Sequence, residues 1–158
     1  MIVKRAYKYR IYPNREQRNF FARTFGCVRL FYNTSLDDMN KLYKEKKEYK
    51  DITPASYKER FPFFKDVDSL ALSNAQLNRN QAFKAFFRNQ NKFPKYKAKR
   101  NKQSYSTNNQ NGTVYISEDC KYISLPKIKN IRIKMHRKFN GVIKTVTVSK
   151  ECDNTYYV

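Results

Sequence analysis

The spacing of apolar residues changes at about Phe93, and this change limits the folds that the chain can adopt. Residues 28–43 repeat apolar side chains every three or four positions, which is typical of a helix. Residues 131–135 instead alternate apolar and basic side chains, which is typical of a strand, and residues 2–12 also have strand character. Because strands lie on both sides of a helical region, the sequence predicts an α+β fold.

About four helices are predicted before Phe93. Asn14 and Gln17 form a capping-box pattern at the start of a first helix, and Gly26 is predicted to end it. A second helix would follow, so that residues 14–47 could form a helix-turn-helix. An ordinary helical hairpin is an equal alternative.

Two further helices are predicted, a short one over residues 54–60 and a longer one over residues 69–91. Apolar side chains form one side of the longer helix: Leu72, Ala75, Phe83, Phe86 and Phe87. Polar and basic side chains lie largely off this side and could face a ligand: Asn74, Asn78, Lys84 and Arg88.

About five antiparallel strands are predicted after a polar, turn-prone segment at residues 101–111. Asn140 and Gly141 are typical of a two-residue hairpin. We expect the first strand to pair with this later sheet, because a lone strand leaves its backbone groups unpaired. The sheet could then close into a small antiparallel β-barrel, interrupted by the inserted bundle of helices.

The predicted domain boundaries follow this division. Residues 1–12 and 104–158 would form the barrel, and residues 13–100 would form the helical insertion. The last strand begins at Thr155, and the chain stops within it without a polar tail. We therefore expect a fragment or a truncated product with an unpaired strand edge.

A formal charge of +21 on 158 residues predicts a polyanionic partner. Residues 69–117 contain nine Lys or Arg and no Asp or Glu, and residues 120–150 repeat this with nine more. A surface of one sign repels itself, so nucleic acid is the leading candidate partner and an anionic membrane surface the second. The 13 Tyr and 12 Phe can fill a core or stack on bases, and a disordered basic tail would lack them.

Few residues are suited to catalysis or metal binding. The one histidine, His136, excludes HxH metal chemistry, and three widely separated glycines exclude a phosphate-binding loop. The three cysteines are far apart, which argues against a zinc site or a disulfide framework and fits a reducing cytosol. Cys27 is better interpreted as a small buried hydrophobe than as a reactive thiol.

The chain is thus predicted to be no enzyme by itself and to hold no metal or other cofactor. No apolar run approaches 18 residues, so a transmembrane helix is not expected, and the N-terminus lacks the apolar region of a signal peptide.

Four motifs give the chain a resemblance to a known family. They are, in chain order, Ala6–Gln17 with Thr24–Asn33, Ala71–Asn74 with Ala82–Phe87, Phe93–Arg100 with Ser104–Thr107, and Ile123–Lys127. Together they resemble the N-terminal part of the OrfB/TnpB family, the insertion-sequence nucleases ancestral to type V CRISPR effectors.

The resemblance implies a β-barrel wedge domain interrupted by a helical recognition insertion. It also implies that these parts bind a structured guide RNA and read a short motif in double-stranded DNA beside the target. In the family a RuvC nuclease domain follows, so DNA cleavage, Mg²⁺ and Zn²⁺ would belong to a part that this chain lacks. A cytoplasmic, nucleoid-associated bacterial protein without a membrane partner is expected, and its oligomeric state stays open.

By matched position, the resemblance places reading of the DNA motif on Ser69, Ser73 and Asn74, with Gln110 as a weaker candidate. Members of the family have larger polar side chains at the positions of Ser69 and Ser73, so a different motif or a lost contact is expected. Contacts to RNA or to nucleic-acid backbone are expected from a larger set: Lys4, Lys8, Arg10, Asn78, Lys84, Arg88, Lys95, Lys97, Lys99, Arg100, Tyr105 and Thr107. Within this set, Tyr105 could stack on a base.

Two other functions stay open. A non-catalytic regulator derived from the same family would bind a DNA duplex selectively, with or without RNA. A general RNA-binding or ribosome-associated protein would bind RNA without a preferred transcript.

Overall fold

The computed structural model describes residues 1–46 and 51–158. Within these ranges the elements are, in chain order, β1 (Arg10–Tyr12), α1 (Arg15–Lys46), two short 3-10 helices (Pro54–Tyr57 and Pro62–Asp66), α2 (Ser69–Phe87), β2 (Gln103–Asn108), β3 (Tyr115–Ile116), β4 (Tyr122–Leu125), β5 (Ile128–Lys134), β6 (Thr145–Lys150) and β7 (Tyr156–Tyr157). The predicted α+β class is confirmed. The expected end of the helix-turn-helix at residue 47 lies outside the described residues.

The described strands form one antiparallel sheet in the order β2-β6-β7-β1-β5-β4-β3. The predicted pairing of the first strand is confirmed, because Ile11 lies opposite Ile133 of β5 on one side and Tyr156 of β7 on the other. Regular pairing begins at Arg10 rather than at residue 2. Tyr9 nevertheless exchanges two backbone hydrogen bonds, of 2.7 and 2.9 Å, with Val158.

Strand β7 lies inside the sheet, so the unpaired edge expected at the last strand is wrong. Tyr156 pairs with Lys150 of β6 as well as with Ile11 of β1. The β6–β7 connection is a tight turn, in which Asn154 adopts a left-handed φ of 65° and donates its backbone N–H to the Glu151 carbonyl.

The sheet curls into a half-barrel instead of the closed barrel that was expected, and β2 and β3 are its edges among the described strands. The physical reason is that α1 covers one face of the sheet. The ring of Phe21 lies 6.2 Å from the ring of Tyr105 on β2 and 5.9 Å from that of Tyr156 on β7. The helix thus occupies the place that the opposite wall of a closed barrel would take.

Two details of the strand prediction are also wrong. The segment 101–111 was expected to be a turn, but it contains β2, which pairs along its whole length with β6. Asn140 and Gly141 do not close a two-residue hairpin, because β1 and β7 separate β5 from β6 in the sheet.

The prediction of about four helices is wrong, since the described residues contain two α-helices. Helix α1 continues through Gly26, and its buried side chains lie on one side both before and after it, at Phe21, Phe25, Val28 and Phe31. A glycine ends a helix by adopting a left-handed backbone, which Gly26 does not do. Burial of this aromatic side offsets the cost of about 1 kcal/mol for glycine within a helix.

The predicted start of α1 is confirmed. The Asn14 backbone N–H donates to the Gln17 side-chain oxygen, and the Gln17 N–H donates to the Asn14 side-chain oxygen, each at 2.9 Å. This is the reciprocal bonding of a capping box.

The other predicted helices are shorter in the structure. Residues 54–60 form a 3-10 helix only over Pro54–Tyr57, and the 3-10 helix at Pro62–Asp66 was not expected. Helix α2 ends at Phe87 rather than at residue 91, because Asn89 adopts a left-handed φ of 56° through which a helix cannot continue.

The helices and the sheet share one hydrophobic core. Its fully buried members come from α1, α2 and the sheet, with Phe21, Phe31, Leu72, Ile131 and Val148 each at 0% exposure. The predicted division into a barrel (residues 1–12 and 104–158) and a helical insertion (residues 13–100) stays a prediction.

Candidate nucleic-acid interface

The two stretches of sequence without acids fold into definite parts of the structure. Residues 69–117 contain α2, the segment after it and β2, and residues 120–150 contain β4 to β6. Some of the carboxylates outside these stretches are already paired, such as Asp37 with Lys41 and Glu151 with Lys102, each at 2.7 Å. The net positive charge therefore lies mainly on the segment that follows α2 and on the sheet.

The segment after α2, residues 93–100, is called the basic segment here, and a side chain of α1 fixes its backbone. The Asn33 amide donates to the Lys97 carbonyl at 2.9 Å and accepts from the Lys97 backbone N–H at 2.8 Å. The Tyr96 hydroxyl donates to the Asp37 carboxylate at 3.2 Å. The basic segment thus follows a defined path across α1 without regular secondary structure.

Aromatic contacts fix the beginning of the basic segment against α2. The ring of Phe93 lies 5.7 Å from that of Phe83 and 5.2 Å from that of Phe86, and Pro94 beside it is buried. Three basic side chains of the segment remain exposed: Lys95, Lys99 and Arg100. A backbone fixed at Phe93 and at Lys97 therefore presents three cations to solvent.

Lys97 has a different environment from these three residues. Its ammonium lies 4.4 Å from the centre of the Tyr32 ring, although much of its side chain stays exposed. Desolvation lowers the pKa of the Lys97 ammonium. Lys97 therefore helps to attach the basic segment to α1, in addition to contributing charge.

The first turn of α2 carries a buried carboxylate. Asp68 is 3% exposed, and its side chain accepts a hydrogen bond of 2.9 Å from the Leu70 backbone N–H and another from the Thr107 hydroxyl. Ser69 and Ser73 lie on the exposed side of the same turn. Because Asp68 already supplies negative charge at this helix N-terminus, a phosphate is disfavoured there, whereas hydroxyl contacts with base edges are not.

Asn74 connects α2 to β2. Its side-chain amide donates to the Leu70 carbonyl at 2.9 Å and to the Ser106 carbonyl at 3.0 Å. The first bond stays within α2, and the second holds the helix against the sheet. This structural role was not predicted from the sequence, which placed Asn74 off the apolar side of α2.

Two predicted contact residues are buried, which argues against a contact of their side chains with nucleic acid. Tyr105 is 3% exposed, and its ring packs 5.7 Å from that of Phe25, so it cannot stack on a base in this conformation. Thr107 is 0% exposed and donates its hydroxyl to Asp68. Alternate residues of β2 face the core, and both positions fall on that face.

The remaining predicted residues lie at the surface. They are Lys4, Lys8, Arg10, Asn78, Lys84, Arg88 and Gln110. Lys8 is 3.8 Å from the Glu151 carboxylate, and its ammonium lies 4.3 Å from the centre of the Tyr157 ring. The Arg10 guanidinium lies 5.0 Å from the centre of the Tyr12 ring.

Several residues of these surfaces were missed in the sequence. Asn33 fixes the basic segment, and its position as a polar residue within the helical stripe of α1 could have indicated it. Asp68 caps α2, and its position just before that helix could have indicated it. Tyr12, Tyr122 and Arg132 lie next to one another on the exposed face of the sheet, and only strand register could have shown this.

Cys27 is 6% exposed, and burial raises the pKa of its thiol to about 11. The interpretation of Cys27 as a small buried hydrophobe is confirmed. In the described ranges, no three His, Cys, Asp or Glu side chains come together as a metal site would require. None of the helices in residues 1–46 and 51–158 combines the length and apolar character needed to span a bilayer.

Comparison with known proteins shows a family match at the N-terminus. Residues 1–48 match the OrfB/IS605-type model described as a helix-turn-helix domain. In the structure, residues 15–46 of this match form the single helix α1.

Two curated relatives match almost the whole chain. A "Putative RNA-guided DNA endonuclease" from Streptomyces pristinaespiralis is 29% identical over 163 residues, which cover 99% of this chain and 40% of that protein. The "Putative RNA-guided DNA endonuclease InsQ" of Escherichia coli K12 is 27% identical over 164 residues, covering 96% of this chain and 39% of that protein. The chain thus spans about 40% of the length of these relatives. The resemblance to the OrfB/TnpB family is thereby confirmed, since residues 1–48 match the OrfB-type model and both relatives match almost the whole chain.

Proposed function

We propose that this chain is the nucleic-acid-binding portion of a TnpB-type RNA-guided DNA endonuclease. It binds a structured guide RNA and a short motif in double-stranded DNA, and no step of DNA cleavage is assigned to its residues. The names of the two relatives support the partners, and the charge distribution supports nucleic acid as the ligand.

The observation that carries this proposal is the fixed basic segment. Lys95, Lys99 and Arg100 are exposed on a backbone that Asn33 and Phe93 hold against the two helices. Cations on an ordered backbone bind phosphates with less loss of conformational entropy than cations on a flexible tail. Lys84 and Arg88, exposed near the end of α2, would extend the same phosphate contacts.

The start of α2 is proposed to read the DNA motif through Ser69 and Ser73. Gln110, two residues after the end of β2, is a weaker candidate for the same role. Asp68 disfavours phosphate at this site, which leaves base edges as the ligands of the two hydroxyls. Asn74 would act here as a positioning residue, since its amide holds α2 against β2.

The test is to measure RNA binding by the purified chain as a function of salt and to sequence the RNA that stays bound through a high-salt wash. With about six to ten phosphate contacts, affinity should fall on the order of a thousandfold or more between 50 and 200 mM salt. One dominant structured transcript would support a guide RNA. A weak salt dependence would contradict the proposal, and a heterogeneous RNA pool would favour a general RNA-binding protein.

A matched pair of variants locates the contact. Replacing Lys95, Lys99 and Arg100 with Ala should lower RNA affinity and reduce the salt dependence by about three phosphate contacts. The control replaces Lys41, Lys44 and Lys46 with Ala, which removes the same charge from the end of α1. Equal losses in the two variants would show that the basic segment has no special role.

A further inference from the structure

The face of the sheet opposite α1, called the outer face here, carries a row of exposed aromatic and basic side chains. Tyr12 of β1 lies opposite Arg132 of β5, and Arg132 lies opposite Tyr122 of β4. Residues in direct register project to the same side of a sheet, so these three form one row across three strands, called the aromatic row.

A second row runs beside the first one. Arg10 of β1 lies opposite Lys134 of β5 on one side and opposite Tyr157 of β7 on the other. Three of the cations here already contact tyrosine rings: the Arg10 and Arg132 guanidinium groups lie 5.0 and 6.0 Å from the Tyr12 ring, and Lys8 lies 4.3 Å from the Tyr157 ring. The outer face thus combines aromatic faces with positive charge.

The tyrosines of the aromatic row are not needed for the core. Tyr12 is 43% exposed and Tyr122 is 42% exposed, whereas their strand neighbours Ile11 and Ile123 are 1% and 3% exposed. Exposed aromatic rings of this kind on a sheet suit a ligand that stacks on them.

The spacing fits successive bases of a single strand. Adjacent strands lie about 4.8 Å apart, so Tyr12, Arg132 and Tyr122 offer a ring, a guanidinium plane and a second ring, separated by two similar steps. Bases stack on aromatic rings and on arginine planes, and a duplex cannot use such a platform because its bases are already stacked on each other.

The charge of the face favours a polyanion over a protein partner. The aromatic row contains no carboxylate, and Lys134 adds a cation to the arginines. The acids Glu151 and Asp153 lie in the turn between β6 and β7, at one end of the second row. Glu151 pairs there with Lys8.

We propose that the outer face binds a single-stranded segment of RNA, with successive bases stacked on Tyr12, Arg132 and Tyr122. This deepens the proposed function and rests on it for the choice of RNA. The second row, with Arg10 and Lys134, would hold the phosphates beside the stacked bases.

The experiment measures binding of a labelled, unstructured ten-nucleotide RNA by fluorescence anisotropy. Tyr12→Ala and Tyr122→Ala should each weaken binding about fivefold to 150-fold, because stacking on one aromatic ring contributes that much affinity per base. Tyr12→Phe and Tyr122→Phe keep the ring and should bind as the unaltered chain does. The control is Tyr43→Ala, at an exposed tyrosine on α1.

Crosslinking supplies a second measurement on the unaltered chain. The same RNA with 5-bromouridine is irradiated, and the crosslinked residues are identified by mass spectrometry. Crosslinks at Tyr12 or Tyr122 are expected, and crosslinks confined to the basic segment would overturn the proposal. Tighter binding of a DNA oligomer of the same sequence would overturn the assignment to RNA.

The outcomes separate the two proposals. If the chain binds structured RNA in a salt-dependent way but the Tyr12 and Tyr122 variants bind like the unaltered chain, the outer face is not the platform and the proposed function stands. If the chain binds no RNA at all, both proposals fail. Self-association in sedimentation that the two Ala variants abolish, without RNA crosslinks, would show that a second copy covers this face.

Discussion

The Arg79 guanidinium lies 2.6 Å from the Asp51 carboxylate, and the Arg79 side chain is completely buried while Asp51 is partly exposed. Arg79 occupies the middle of the side of α2 on which Leu72, Ala75 and Phe83 are buried. Asp51 also accepts hydrogen bonds from the side chains of Gln76 at 2.9 Å and Asn80 at 3.1 Å. The Asp51 carboxylate, which lies outside α2, therefore pairs with the buried Arg79 guanidinium of this helix.

Asp51→Ala should destabilise the chain by about 2–3 kcal/mol, because the variant removes a carboxylate that lies 2.6 Å from the buried guanidinium. Urea unfolding followed by circular dichroism measures this. The comparison is Lys41→Ala, which removes the exposed pair with Asp37 but leaves the Tyr96 hydrogen bond in place, and it should destabilise the chain far less. Similar losses in the two variants would contradict the structural role of Asp51.

Tyr105→Phe should stabilise the chain by about 1 kcal/mol. Among the described residues no group hydrogen-bonds with the buried Tyr105 hydroxyl, so the phenol is desolvated without compensation. Tyr105→Ala should instead cost about 3–5 kcal/mol, because it leaves a cavity beside Phe21 and Phe25. The free energy of unfolding measures both, and RNA affinity should be unchanged in Tyr105→Phe. A loss of RNA affinity in that variant would restore a contact role for the hydroxyl.

Stability should fall at alkaline pH. Burial raises the pKa of the Cys27 thiol from 9.0 to about 11, and burial also raises the pKa of the Tyr105 hydroxyl. Burial and then the hydrogen bond to Asp38 raise the pKa of Tyr57. The folded state holds these protons more tightly than the unfolded state does. These groups therefore contribute fully to the free energy of unfolding below pH 9, and that contribution is lost as pH rises past their ordinary pKa values.

The measurement is the free energy of unfolding in urea from pH 7 to pH 11. Cys27→Ala should remove the part of the decline that begins at about pH 9, and the exposed Cys152→Ala should leave the decline as it is. A stability that stays constant up to pH 11 would show that these groups are solvated in the folded state.

Asn33→Ala should weaken RNA binding although it removes no charge. The variant releases the backbone of the basic segment at Lys97, and ordering this one residue again on binding costs about 1–2 kcal/mol, or roughly fivefold to 30-fold in affinity. Faster tryptic cleavage after Lys95 and Lys99 should accompany this loss. The control is Asn19→Ala, on the exposed surface of α1. Full RNA affinity despite faster cleavage would show that the path of this segment does not matter.

Local sequence rules predicted where α1 begins but not how far it continues. The capping box at Asn14 and Gln17 is present because two side chains three residues apart suffice to form it. The end of a helix at Gly26 was wrong, because burial against the sheet decides whether the chain continues as a helix there. The uninterrupted apolar side from Phe21 to Phe31 was the signal in the sequence that could have corrected this.

The candidate interface could be predicted as a set of residue types but not as a surface. The exposed cations of the basic segment follow from its composition, whereas Tyr105 and Thr107 lie on the inward side of β2, a strand with too few apolar residues to be recognised. The aromatic row depends on the pairing of β1 with β5 and of β5 with β4, and residues about 110–120 positions apart meet there. No local pattern contains that information.

The position of β7 has a consequence for how the chain folds. Among the described strands, β7 connects the pair β2-β6 with the group β1-β5-β4-β3, and it pairs Tyr156 with Ile11 across 145 residues of sequence. During synthesis, both groups of strands must therefore wait for β7 before they can join. Closing such a long loop is slow, since its entropy is lost before the contact forms. We expect slow refolding, because β1 must pair both with β5 and with β7, at least 120 positions away along the chain.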